Sequence, residues 1–426
     1  MNLLTVAAMP PFAVVALILI LARCCAELWL SRLNQRHVRA HAGNIPETFR
    51  GVIDEPTYRK SVDYTLAKAK FGNFVTIYDT LVLLVVLFSG LLPRLFSVWQ
   101  EHFGVTAWAM AAFLFILGIA LSIPGIPTDL YSHFRLEQRF GFNTLTLGTW
   151  LLDRVKGLLL AMLLGYPLLV LVLKIVGWMG ASWWLWAWGI VVVFQLLLML
   201  IAPALIMPLF NKFTPLGEGP LRERLFALAQ RTGFPTRSID VMDGSKRSRH
   251  SNAFFTGFGR FRKIVLFDTL VSQLSESELE AVLAHEIGHY KKRHIVKLMS
   301  FSIVSMLVAF FAIAWLAQQD WFFSAFGFTV QEGFAPASIA PALILFALLT
   351  GVVTFWLSPV MNAWSRRYEY EADRFARDAM HEPDSLIGAL RKLTEKNLSN
   401  LTPHPLYSGF HYSHPTITER ERALRR

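Results

Sequence analysis

Seven long apolar stretches constrain this 426-residue chain more than any other feature. They run over residues 4–30, 71–92, 107–126, 158–178, 184–210, 298–316 and 339–360. Each has the roughly 20 residues that a helix needs to cross hydrocarbon. Lipid offers no partner for a bare N–H or C=O, so such a segment crosses it as a helix, which closes its own hydrogen bonds. The sequence therefore predicts a mainly α, polytopic membrane protein with seven transmembrane helices. Composition agrees, with 54% of residues apolar and 17% charged, against about a quarter charged in a soluble domain. The first stretch lacks a basic start, and Arg23 follows its apolar core, so it is expected to be a retained helix, bent near Pro10-Pro11, and not a cleaved leader. The only cysteines, Cys24 and Cys25, are adjacent. That excludes a disulfide framework and a cysteine-ligated metal site.

Charge sets the expected orientation. Eight Lys/Arg lie between the first two stretches, fifteen between the fifth and sixth, eleven after the seventh and none between the sixth and seventh. High and low counts alternate along the whole chain, which by the positive-inside rule predicts an N-terminus outside and a cytoplasmic C-terminus. The two large polar segments, 211–297 and 362–426, then share the cytoplasmic side. The net charge of +11 follows membrane sides and is not gathered on one element, so no nucleic-acid partner is expected. Two regions follow: residues 1–210, a membrane region of five spans, and residues 211–426, which carry the polar segments and two further spans.

The chemistry concentrates in His285-Glu286-Ile287-Gly288-His289. Ser275-Glu276-Ser277-Glu278 has the form of a capping box, and the proline-free run after it predicts a helix. Four residues apart, His285 and His289 project from one face, the spacing at which two imidazoles reach one tetrahedral Zn2+. Glu286 stands beside them, rotated off the metal, where it can take a proton from a bound water. A second pair, His37 and His41, has the same spacing without the glutamate and sits in a basic loop; it is read as solvated or membrane-surface charge.

A hydrolytic zinc site needs a third protein ligand. Tyr368-Glu369-Tyr370-Glu371-Ala372-Asp373 offers Glu369 and Asp373 on one helix face, as a ligand and as a carboxylate that orients a ligand histidine. Glu371 lies about 200° around from Glu369 and is expected to be dispensable. A solvated face paired with Arg366, Arg367, Arg374 and Arg377 is the competing reading of these acids.

Further motifs stand in order along the chain: Ile126-Pro127 and Glu137-Gln138-Arg139-Phe140-Gly141-Phe142-Asn143, Phe210-Asn211-Lys212-Phe213-Thr214-Pro215-Leu216, Met242-Asp243-Gly244-Ser245-Lys246-Arg247, Ser251-Asn252-Ala253-Phe254, Ser365-Arg366-Arg367-Tyr368-Glu369 with Asp373, and Ser413-His414-Pro415 with Glu419-Arg420. With the His-Glu-x-x-His helix, they make the chain resemble the membrane zinc proteases of the CAAX prenyl protease 1 family over most of its length. The resemblance implies Glu369 as third ligand, Asp373 behind the ligands, His414 as stabiliser of the oxyanion, and Asn252 and Arg420 at the substrate. It also implies seven helices around an intramembrane, water-filled chamber, with a cytoplasmic zincin-like catalytic region facing inward.

The function expected is therefore a zinc endopeptidase, with one Zn2+ per chain. It would cut near the C-terminus of CAAX-type prenylated substrates, or of other apolar peptides or proteins held at the bilayer, in a bacterial inner membrane or the endoplasmic reticulum membrane. General quality control of membrane proteins is the alternative within the class. A non-enzymatic transporter or receptor is the alternative outside it, but a transporter would show repeated halves and none is seen. Lys263–Phe267 is a strand candidate, and an exposed edge around residues 252–256 could take substrate as an added strand.

Overall fold

The computed structural model describes residues 9–256, 263–329 and 333–426. Six continuous helical runs in it are long and apolar enough to cross a membrane. The first is α1 (Pro11–His41), entered through Pro10 and Pro11; part of the first apolar stretch, residues 4–8, lies outside the described residues. Then come α2 (Glu55–Phe88), the short α3 (Leu91–Phe103) and α4 (Ala107–Phe140). The next run, Leu147–Phe210, has 64 residues, far more than one crossing needs. It is interrupted by a 3-10 turn at Gly180–Ser182, where Gly180 takes a φ of 52°. Its arms, α5 (147–179) and α6 (183–210), pack along each other. The seven predicted stretches thus map onto six runs, two of them onto this hairpin. His294–Leu316 and Pro336–Met380 complete the set.

Several helices outrun their apolar stretches. Capped by the Asp54 carboxylate, which accepts from the Thr57 N–H at 2.9 Å, α2 begins roughly four turns before its apolar part. Pro124, Pro127, Pro203 and Pro208 all stand at or beside 3-10 or π turns, where a helix tolerates a missing N–H. Inside the bundle, Ala13, Ala111, Ala187 and Ala340 are fully buried. Small side chains let membrane helices approach, since lipid tails supply no hydrophobic drive between them. The interior is hollow, with walls of mixed polar and apolar character. One cavity of about 650 Å3 lies between α1, α2 and residues 397–412, and another of about 480 Å3 lies beside α4 and α5. His250 borders both, in keeping with the chamber that the family resemblance implies.

After the fifth span the chain builds a small sheet from β1 (Phe213–Pro215), β2 (Ser238–Met242), β3 (Ala253–Thr256) and β4 (Lys263–Phe267) in the order β1-β2-β4-β3. Between the first two strands lies α7 (Pro220–Arg231). β4 is the strand expected from the sequence. β3 pairs antiparallel with it and is the last strand, so its other edge has no partner among the described residues. Next comes α8 (Glu276–Lys291), with the expected capping box: the Ser275 N–H donates to Glu278 Oε2 at 2.7 Å and Ser275 Oγ accepts from the Glu278 N–H. Leu279, Leu283 and Ile287 bury one face of α8 against α7 and the sheet, each contributing about 1.5–3 kcal/mol.

The rest comprises α9 (His294–Leu316), α10 (Pro336–Thr354), α11 (Ser358–Met380), α12 (Asp384–Lys396), α13 (Pro405–His411) and α14 (Ile417–Leu424). Two polar ties fix this region to the membrane helices. Arg247 grips both Asp153 oxygens at 2.8 and 3.0 Å. Glu137 on α4 accepts from the Tyr64 hydroxyl at 2.7 Å and lies 3.4 Å from His250 Nε2.

Candidate active site

The site forms where α8 crosses α11. At the crossing Gly288 is buried so closely that a Cβ there would stand 3.0 Å from Ala372 Cα and 3.2 Å from Phe375 Cβ. His285 and His289 flank that contact on α8, and Glu369 and Asp373 flank it on α11. Helical periodicity on each strand of the crossing, plus one missing side chain, brings the four together.

Their donor atoms converge. His285 Nε2 lies 3.2 Å from His289 Nε2 and 3.5 Å from Glu369 Oε2, and His289 Nε2 lies 3.4 Å from Glu369 Oε1. Donors about 2.0–2.1 Å from a tetrahedral ion stand about 3.3 Å apart. The two Nε2 atoms also face each other: Nδ1 of His285 is 2.8 Å from Asp373 Oδ1, and Nδ1 of His289 is 3.0 Å from Nδ1 of His294. With each Nδ1–H directed outward, each Nε2, once His285 has given up its second proton, offers a lone pair across the gap. Glu369 Oε2 is buried without a well-formed hydrogen bond, although His414 Nδ1 approaches it to 2.8 Å. Spacing, facing lone pairs and the under-satisfied carboxylate together fit a divalent metal ion.

Behind the donors lies a charged layer. Arg420 binds Asp373 through two nitrogens, at 2.8 and 2.5 Å, and comes within 3.7 Å of Glu369. Expected at the substrate, Arg420 is instead 8% exposed, with its guanidinium occupied by Asp373. Its place on α14 turns it inward with Leu424. Burial lowers the pKa of His285, but hydrogen bonds to Asp373 and Glu369 outweigh it and raise the metal-free value to about 9. Burial pushes the Glu286 carboxyl up, against the opposing pull of His285 and His289; a raised pKa suits a general base near neutral pH.

Glu371 has a partner that its place on the helix did not suggest. Dispensable by its place on the helix, it accepts from His294 Nε2 at 3.1 Å, and His294 Nδ1 faces His289 Nδ1. Glu371 thus holds His294 in the tautomer that presents a lone pair to the His289 N–H, leaving His289 Nε2 free for a metal. His294 is 1% exposed and stacks on Tyr368, with ring centroids 4.0 Å apart. Arg293 makes this possible. It takes a left-handed φ of 57°, so the chain turns between α8 and α9 and delivers His294 beneath His289. The competing surface-pair reading survives only at Glu371, where exposed Arg367 lies 3.3 Å away. Arg366 instead donates to the Gly409 and Tyr412 carbonyls.

His414 lies on the loop between α13 and α14, with its side chain 65% exposed and its Nδ1 on Glu369. Asn252 is exposed immediately before β3, where its carbonyl accepts from the Phe267 N–H at 3.1 Å. β3 packs against α8, so the free strand edge borders the helix that carries the two histidines.

Residues 34–212 match the family model described as CAAX prenyl protease N-terminal, five membrane helices, and residues 215–426 match peptidase family M48. The chain is 39% identical over 400 residues to CAAX prenyl protease 1 of Saccharomyces cerevisiae, covering 89% of this chain and 88% of that protein. It is 32% identical over 445 residues to the CAAX prenyl protease 1 homolog of Homo sapiens, covering 93% and 92%. The crystal structure of S. mikatae Ste24p matches with a TM-score of 0.88 at 37% identity, covering 97% of this chain and 99% of that one.

Proposed function

Because this chain belongs to the CAAX prenyl protease 1 family and is a membrane metalloendopeptidase, we propose that it uses one zinc ion to cut prenylated or other apolar, membrane-held peptides near their C-terminus. The observation that carries the reading is the spacing of the three donors, 3.2, 3.5 and 3.4 Å. His285, His289 and Glu369 hold the ion. Bound there, zinc would supply polarisation of the scissile carbonyl and an acidified water. Glu286 takes that proton and delivers it to the leaving amine. His414, half out in the open beside Glu369, is placed to stabilise the carbonyl oxygen as negative charge develops. Asp373 fixes the His285 ring, and Arg420 fixes Asp373. Substrate adds as a strand to the open edge of β3, with Asn252 at its head.

α8 leads within a few residues into α9, a membrane-crossing helix. A peptide anchored in lipid therefore meets the site after a short extended reach, which favours substrates with a prenyl group or an apolar end. The charge pattern supports a cytoplasmic catalytic region and C-terminus, with the N-terminus outside or lumenal, in a bacterial inner membrane or the endoplasmic reticulum. The test presents matched peptides, with and without a farnesyl group, to purified enzyme. Both should be cut, the farnesylated one with the higher kcat/KM. Strict dependence on the lipid would remove the wider specificity; cleavage of neither would overturn the substrate class.

A further inference from the structure

The basic residues that precede α2's apolar part and end α4 take no part in this chemistry. Three of them, Lys70, Arg135 and Arg139, line a cavity of about 660 Å3 between the two helices. No carboxylate lines it. None of the three cations has a carboxylate partner among the described residues, and Arg139 lies only over the Phe140 ring, at 5.4 Å. The remaining wall is largely aromatic: Phe71, Phe74 and Tyr131, with the Phe71 and Tyr131 rings 4.8 Å apart.

The cavity has a polarity and a direction. Tyr64 meets Glu137, Phe71 meets Tyr131, and the Tyr78 hydroxyl donates to the Pro124 carbonyl. The two helices therefore run antiparallel, with the cations at the end nearest the peptidase region and the aromatic rings reaching toward mid-membrane. On α2 these residues lie on the far side from Ala69, Gly72 and Thr76, which border the interior cavities, and on α4 the interior is bordered by a different set, Asp129, His133 and Glu137. The cavity opens away from the hollow interior, so its occupant comes from the bilayer.

We propose that this is a binding site for an anionic glycerophospholipid. Its phosphate lies among Lys70, Arg135 and Arg139, and an acyl chain lies along Phe71, Phe74 and Tyr131. Guanidinium groups bind phosphate through paired N–H donors, and a basic cluster at the membrane edge draws anionic lipid. The bound lipid clamps the outer side of the same helix pair that Tyr64 and Glu137 tie on the inner side.

The test uses the full chain, stripped of lipid in a neutral detergent and titrated with dioleoylphosphatidylglycerol or dioleoylphosphatidylcholine, with bound lipid read by native mass spectrometry. The wild type should retain phosphatidylglycerol in preference. Lys70→Gln, Arg135→Gln and Arg139→Gln together should weaken it on the order of 100-fold, about fivefold per cation. Peptide cleavage in phosphatidylcholine should stay unchanged. Arg94→Gln with Lys174→Gln, remote from the cavity, should leave retention as in the wild type. Should the triple variant not fold, Phe74→Ala keeps the cations, removes part of the chain wall and should still weaken retention. Equal retention of the two lipids by the wild type, or undiminished phosphatidylglycerol in the triple variant or in Phe74→Ala, would overturn the proposal. So would displacement of the lipid by inorganic phosphate, since the site would then read the anion alone.

Discussion

Replacing Gly288 with alanine should leave the protein folded and weaken its hold on the metal. The added Cβ would lie 3.0 Å from Ala372 Cα, 3.1 Å from Ala372 O and 3.2 Å from Phe375 Cβ, whereas carbon atoms rest about 3.5–4.0 Å apart. The nearest obstacles are backbone, which no rotamer change clears, so α8 and α11 must part by roughly 0.5 Å. For stability two terms oppose each other. Overpacking costs about 1–3 kcal/mol, and alanine returns about 1 kcal/mol of helix propensity, leaving a net loss of about 0–2 kcal/mol. The metal site has less tolerance. His285 and His289 move with α8 and Glu369 with α11, while ligand distances are fixed to about 0.2 Å. Zinc affinity should fall about 10–100-fold, and kcat/KM measured at limiting zinc should fall with it. The assay is competition against a chromophoric chelator, paired with thermal unfolding of the metal-free protein. Gly177→Ala, whose Cβ meets nothing within 4 Å, is the control and should leave affinity unchanged. Wild-type zinc affinity in Gly288→Ala would refute the claim that this close approach sets the ligand geometry.

Glu286→Gln should bind zinc as tightly as the wild type while kcat falls about 1000-fold, on the scale of a lost general base; residual turnover near wild type would remove that role. Glu371→Ala and His294→Ala should each weaken zinc about 10–100-fold, as expected when a ligand histidine loses its orienting partner, and His294→Gln should recover part of the loss by accepting from His289; unchanged zinc affinity in Glu371→Ala would restore the sequence-based expectation. In a Cys24→Ser, Cys25→Ser background, single cysteines at Asp320 and at Lys396 should react with an impermeant thiol reagent from opposite sides of sealed vesicles. Labelling of both from one side would remove the span between them.

Different physics made different parts of this chain legible. The apolar stretches could be read because hydrocarbon thickness imposes a length, and the same length requires the 147–210 run to be two spans with a turn between 178 and 184. His285, His289, Glu369 and Asp373 could be read because α-helical period fixes which residues share a face. That same period gave no sign of the His294 contact at Glu371, since an angle around one helix says nothing of what a neighbouring helix brings to the other face. His294 belongs to a different helix and arrives by a left-handed residue, Arg293, that no hydropathy pattern marks. Its signal was present as a histidine five residues after His289, followed at once by an apolar span. The bond of Arg420 to Asp373 was hidden among the basic residues of the tail, although its spacing from Leu424 puts it on the inward face of a capped helix.

The hollow interior alters how selectivity arises. A peptide end confined in about 650 Å3 is present at on the order of 1 M, far above any concentration it reaches in solution. If the proposed substrate reaches the strand edge of β3 through this interior, weak, sequence-indifferent contacts would suffice to hold it there. Discrimination would then pass from the residues around the scissile bond to the entrance, which admits an extended chain end and excludes a folded domain.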